Sequence, residues 1–265
     1  MTEISSYNIF EHVPSDIPVH NKYIKKENLV SQKHLSLINM WTKSKKMILN
    51  QKKTKNMIFN FTKNYQFTTR MVEDNVNIEV VPQIKLLGTL ITSDLKWDIN
   101  TQHLVKRAYG RMQLLHRAAK FTKTKKDLIT IYKTYIRPVL EQSATVWHSS
   151  ITEENASDLC RVQKAAVRLI MGSDYIGYTH ALKSLDIDPL KIRREKLCLN
   201  MALRTRSNPK VKYMFPLRSE VRDQKRRFTE KYQVNKANTH RLKTSAIPYM
   251  QGLLNKHERK SARWI

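Results

Sequence analysis

The sequence predicts an α+β chain: a small antiparallel sheet near its start, a mostly helical region after it, and a basic, partly disordered tail. Three observations lead there. Only 5 glycines and 8 prolines occur in 265 residues, too few for a loop-rich all-β fold. Val76, Ile78 and Val80 alternate with other residues at the period of a half-buried strand. From Thr101 onward the apolar spacing becomes helical, and beyond Asn208-Pro209 it fades into a lysine- and arginine-rich run.

Taken in order, residues 1–27 are polar and carry Pro14 and Pro18, so they read as a loop or lead-in. Val30, His34, Leu37, Ile38 and Trp41 recur at helical spacing over 28–44, with lysines opposite, which predicts an amphipathic helix. Strands are expected at Met57–Phe61, Thr68–Met71 and Val76–Val81, with Glu73-Asp74-Asn75 as a turn. Ile84–Ile91 reads as one further strand, broken or bulged at Gly88. The next stripe is Leu104, Ala108, Met112, Leu115 and Ala119, with Arg107 and Arg111 one turn apart as a basic ridge beside it.

Thr124 and Asp127 suggest an N-cap pair for a helix carrying Leu128, Ile131, Tyr132, Tyr135 and Val139, which Pro138 should kink or end near Arg137. Thr152, followed by Glu153 and Glu154, opens another helix. Its apolar stripe is Leu159, Val162, Ala166 and Ile170; Arg161, Lys164 and Arg168 line another side, and Gly172 is a natural C-cap. Asp188-Pro189 should cap and start a helix through Leu190, Leu197 and Met201 to about Arg206. Residues 217–244 are strongly basic, with Arg222, Lys225, Arg226 and Arg227 clustered, and a mobile tail is expected with a short helix at Tyr249–His257.

Composition narrows the function classes. Lysine and arginine total 49 against 22 acids, a formal charge of +27. A polyphosphate backbone is the usual partner of such an excess, ahead of a merely soluble basic protein, because the charge is spread along the whole chain. Cys160 and Cys198 lie in helical patterns and read as small buried apolar residues. No cysteine pair has zinc-ligand spacing and the 9 histidines are scattered, so no metal site can be named. The opening MTEISSYNIF lacks the pattern of a signal peptide, and no run of about 18 apolar residues predicts a membrane span, so the chain is expected to be nuclear or cytoplasmic and not secreted.

Two stretches carry a resemblance. Trp41, Met47, Leu49, Asn50, Lys53, Thr54, Met57 and Phe59 form the first; Ile84-Lys85-Leu86-Leu87-Gly88 with Leu95-Lys96-Trp97 forms the second. In that order they resemble the end of the palm, the primer grip and the entry to the thumb of non-LTR (LINE-type) retrotransposon reverse transcriptases, closest to the jockey and chicken-repeat-1-like groups. Ile136-Arg137-Pro138-Val139-Leu140-Glu141, Val146-Trp147, Arg161-Val162-Gln163-Lys164-Ala165 and Ser245-Ala246-Ile247-Pro248 extend the resemblance over nearly the whole chain. Lys45 stands where the family usually has Asn, and Asn100 where it often has His.

The resemblance implies three regions: 1–97 as a palm remnant with the primer-grip strand, 98–208 as a helical thumb-like region, and 209–265 as a basic tail. It implies RNA and DNA, as template and primer, for partners. Lys53 corresponds to a lysine near the incoming triphosphate, and Leu87-Gly88 to the primer grip. Arg107, Arg111, Arg161, Lys164 and Arg168 are the basic residues expected to grip phosphates. Trp41, Trp97 and Trp147 are expected as core anchors. Nucleotide addition in the family needs Mg held by aspartates, including an Asp-Asp turn. The chain contains no Asp-Asp dipeptide. The expectation is therefore a fragment of an RNA-directed DNA polymerase, inactive alone and without a cofactor of its own. A non-catalytic RNA- or DNA-binding module and a non-functional relic are the alternatives.

Overall fold

The structure is a computed structural model that describes residues 21–50, 52–59, 61, 71–73, 76–122, 124–221 and 230–261. The chain is α+β, with helices dominant and two separate antiparallel hairpins. It forms two compact units, Met1–Pro82 and Gln83–Ile265, so the division falls before the expected primer-grip strand and not at Trp97.

In the first unit, helix α1 spans Asn21–Ser44. Residues 21–27, expected as loop, are helical; residues 1–20 of the expected lead-in, with Pro14 and Pro18, lie outside the described residues. Among the described side chains of α1, Leu35 and Thr42, seven apart, are buried. The expected stripe is turned outward: Leu37, Ile38 and Trp41 are each about half exposed or more, so Trp41 is no core anchor. Strands β1 (Met71–Glu73) and β2 (Val76–Ile78) pair with Met71 opposite Ile78 and Glu73 opposite Val76. Of the expected strand Thr68–Met71, residues 68–70 lie outside the described residues, as do Asp74 and Asn75 of the expected turn. Met57–Phe59 forms no strand. Its neighbour Asn56 instead makes one parallel bridge to Val80, through Asn56 N–H to Glu79 O and Val81 N–H to Asn56 O. Pro82 comes directly after and has no N–H with which to extend a ladder.

The second unit begins with β3 (Gln83–Leu86) and β4 (Thr89–Thr92), paired antiparallel with Leu86 opposite Thr89. The expected break at Gly88 is thus a full reversal. Helix α2 (Asp98–Phe121) buries Leu104, Ala108, Met112 and Leu115 against Leu159, Val162, Ala166 and Ile170 of α6 (Glu153–Met171). Between them run α3 (Lys125–Ile131), a π-helical turn (Tyr132–Ile136), α4 (Arg137–Glu141) and α5 (Ala144–Trp147). Pro138 sits in the first turn of α4, so the expected kink takes the form of that wider turn. A π turn inserts a residue and so rotates the next helical turns about the axis. Tyr132, Ile136 and Val139 are buried, but Tyr135, expected in the stripe, is half exposed. The Thr124 hydroxyl makes no cap bond; Asp127 accepts instead from the Thr122 hydroxyl at 3.0 Å. α6 agrees with expectation: Thr152 Oγ1 accepts from Asn155 N–H at 3.2 Å, and Gly172 ends the helix at φ 58°. Trp97 and Trp147 are buried, as expected of core anchors.

α7 (Tyr178–Ser184) leads to α8 (Leu190–Ser207). Pro189 is itself the N-cap, one position later than the sequence suggested. The buried face of α8 is Leu190, Arg194, Cys198 and Ala202, not Leu190, Leu197 and Met201. A charged residue at the centre of a buried stripe breaks the apolar pattern that periodicity detects. The described part of the tail is folded. It holds α9 (Arg218–Val221), α10 (His240–Lys243) and α11 (Ala246–Ser261). A second core joins Cys198 and Ala202 to Phe215, Tyr232, Met250, Leu253 and Leu254. The helix expected at Tyr249–His257 is longer at both ends.

Candidate nucleic-acid interface

The β3–β4 turn consists of Leu87 and Gly88, at φ 49° and 85°. Positive φ at both central residues is the geometry that matches a hairpin's right-handed twist. Leu87 points into solvent, 92% exposed. Gln142, in the corner between α4 and α5, reaches the turn and donates from Nε2 to Leu87 O at 3.4 Å. The positive φ at Gly88 calls for glycine; a Cβ there would stand 2.3 Å from that Nε2 and push the flexible amide off Leu87 O. The other end of the same amide accepts from Arg107 Nη1 at 2.7 Å. Two more bonds dock the hairpin: Thr89 Oγ1 to Ser143 Oγ at 2.7 Å, and Leu90 N–H to Asn100 Oδ1 at 3.1 Å. Ser143 itself holds φ 52°.

Lys85, Lys106 and Arg107 lie near one another at this junction and act on His103. Burial first, then Lys85, Arg107 and Lys106, hold the His103 imidazole below its usual range. One turn along α2 from Arg107, Arg111 donates from Nη1 to Tyr135 O at 2.6 Å and lies 5.5 Å from the centre of the Tyr135 ring. Both arginines are half-buried, so the expected ridge is seated against the π turn and the α4–α5 corner.

The α6 residues differ. Arg161, Lys164 and Arg168 are all exposed and lie on the side opposite Val162, Ala166 and Ile170. Arg161 pairs with Asp158 at 2.8 Å. Lys164 lies over the Tyr178 ring at 5.4 Å and Arg168 over the Tyr175 ring at 5.7 Å.

No family model, no curated protein and no solved structure matches this chain. The site therefore rests on its own geometry. Leu87, Gly88 and Arg107 come together through Gln142, with Arg111 beside them on α2. Arg161, Lys164 and Arg168 form a second group whose partners lie on α6, on α7 and just before it. Lys53 belongs to the first unit, where its N–H donates to Asn50 O at 3.0 Å in a tight turn. Among the described residues no three His, Cys, Asp or Glu side chains gather as metal ligands.

Sequence reasoning missed Gln142, since a lone glutamine carries no motif. Gln163 stands in one of the resembling motifs, but sequence reasoning assigned it no role. That buried side chain accepts from Tyr178 Oη at 2.6 Å and Leu190 N–H at 3.0 Å, and donates to Asp188 O at 3.0 Å. Nor was any role assigned to Arg194, part of the resembling Arg193-Arg194-Glu195; it is fully buried over the Trp147 ring, with Nε donating to His148 Nδ1 at 3.3 Å.

Proposed function

We propose that this chain is the template-primer-holding part of a non-LTR-type reverse transcriptase: the end of the palm, the primer-grip hairpin and a helical thumb. It binds nucleic acid and contributes no nucleotide addition from its own residues. One observation carries the reading. Two features that sequence reasoning flagged separately, the Leu87-Gly88 turn and the α2 arginines, are tied together by Gln142 into one positively charged edge. A turn that exposes its backbone can approach a strand end closely, while neighbouring arginines meet phosphates. The +27 charge supplies the long-range attraction.

The test is binding of a blunt RNA–DNA hybrid by the full chain across a salt series. Affinity should fall steeply with salt, and Arg107→Ala should reduce the log–log slope by about 0.9, one phosphate's worth. Weak, salt-insensitive binding would overturn the proposal.

A further inference from the structure

We propose that the outer face of α6, with the segment leading into α7, is a separate binding strip for an unpaired polynucleotide strand. This inference rests on the nucleic-acid reading above and adds which form of nucleic acid this face takes.

The strip is built from a rigid helix. Arg161, Lys164 and Arg168 project from successive turns, spaced about 5.4 Å along the axis, so they form a row and not a cluster. A row on one helix tracks a single backbone. Each cation is exposed, whereas Arg107 and Arg111 are half-buried and already donate to Gln142 and to Tyr135 O. Among the described residues Lys164 and Arg168 make no such bond; they rest over Tyr178 and Tyr175.

The rings decide between single strand and duplex. Tyr178 is fixed from beneath, its hydroxyl donating to buried Gln163, so its ring keeps a set position beside Lys164. Arg168 lies over Tyr175, and the next residue, Ile176, is 82% exposed. An exposed guanidinium near a ring, beside an exposed apolar side chain, offers a base a surface on which to stack. Only an unpaired strand can present its bases outward; a duplex keeps them inside. The contacts are graded along the row. Arg161 is partly neutralised by Asp158, and Glu153 and Glu154 lie beyond it at the helix start. The strip is therefore strongest at Lys164 and Arg168.

The experiment uses the full chain, with three probes of about 16 nucleotides: oligouridylate, oligodeoxythymidylate and a blunt RNA–DNA hybrid. Lys164→Ala/Arg168→Ala should weaken binding of both single strands about tenfold or more and leave the hybrid within about twofold. Its salt slope on a single strand should drop by about 1.4, two phosphates' worth. Arg168→Lys keeps the charge and removes the plane; affinity should fall with the slope unchanged. Arg161→Ala should cost less than Arg168→Ala. Equal losses on single strand and hybrid, or no loss on the single strands, would overturn the strip. Losses on both single strands that differ between RNA and DNA would support it and show that the sugar also contributes. Arg107→Ala, run beside these, reports on the hairpin edge alone, so each reading can fail without the other.

Discussion

At the scale of single residues, Gly88 and His148 make claims that can be measured. Gly88 combines a positive φ with the near approach of Gln142. Gly88→Ala should lower stability by about 1–2 kcal/mol, from backbone strain and displacement of the amide, read as a drop in Tm. The glycine was legible in the sequence as a backbone break; its partner was not, because nothing local links positions 88 and 142. His148 is pushed down to about 4, chiefly by burial, then by Arg194 and Lys191. Folded His148 is thus neutral where the unfolded chain already takes up a proton at its usual 6.5. Stability is full above that value and falls as pH drops from 6.5 towards 4, with a slope of up to about 1.4 kcal/mol per pH unit. His148→Gln, which keeps an acceptor for Arg194, should flatten that part of a denaturation-versus-pH curve.

At the scale of elements, the helices read well wherever an apolar stripe faced one neighbour. α2 and α6 are of this kind, and their predicted stripes are their contact faces. The reading failed where polar side chains do the packing. In α8 the buried line passes through Arg194. In α11 two buried amides, Gln251 and Asn255, hold one edge of an extended stretch whose other edge bridges Leu217 opposite Tyr232. Asn255 exchanges bonds with both Tyr232 N–H, at 2.8 Å, and Tyr232 O, at 3.0 Å. Gln251 receives from Asn235 N–H at 2.8 Å and donates to Met214 O at 2.8 Å. A basic run with little periodicity reads as loose chain, yet a backbone bridge on one edge and side-chain amides on the other hold it. Asn255→Ala leaves the Tyr232 N–H and C=O buried without partners and should cost about 2–4 kcal/mol. Limited proteolysis should then cut near residues 230–235, which the unaltered chain protects; unchanged protection would refute the assignment.

At the scale of the whole molecule, charge and topology divide the work. The charge was fully legible in composition, and so was the change from strand to helix periodicity. The division at Pro82/Gln83 was not: the hairpin's docking bonds to Asn100 and Ser143 span sequence distances that local patterns do not cover. The proposed function has a direct consequence at this scale. The purified chain, given Mg and a primed template, should bind the hybrid and incorporate no nucleotide; measurable extension would sink it.

The nature of the Gln142 contact has one further consequence. Arg218, Arg193 and Arg259 are held by carboxylates. Arg107 is held by an amide oxygen. A carboxylate would have cancelled its charge; an amide only aims it. The guanidinium's conformational freedom is then lost during folding, before any ligand arrives, and an incoming phosphate meets a full positive charge already in place. Affinity gained in this way comes from preorganisation. Gln142→Glu would keep that preorganisation, since the bond to Arg107 could still be made, but would cancel the charge, and affinity for a phosphate should fall.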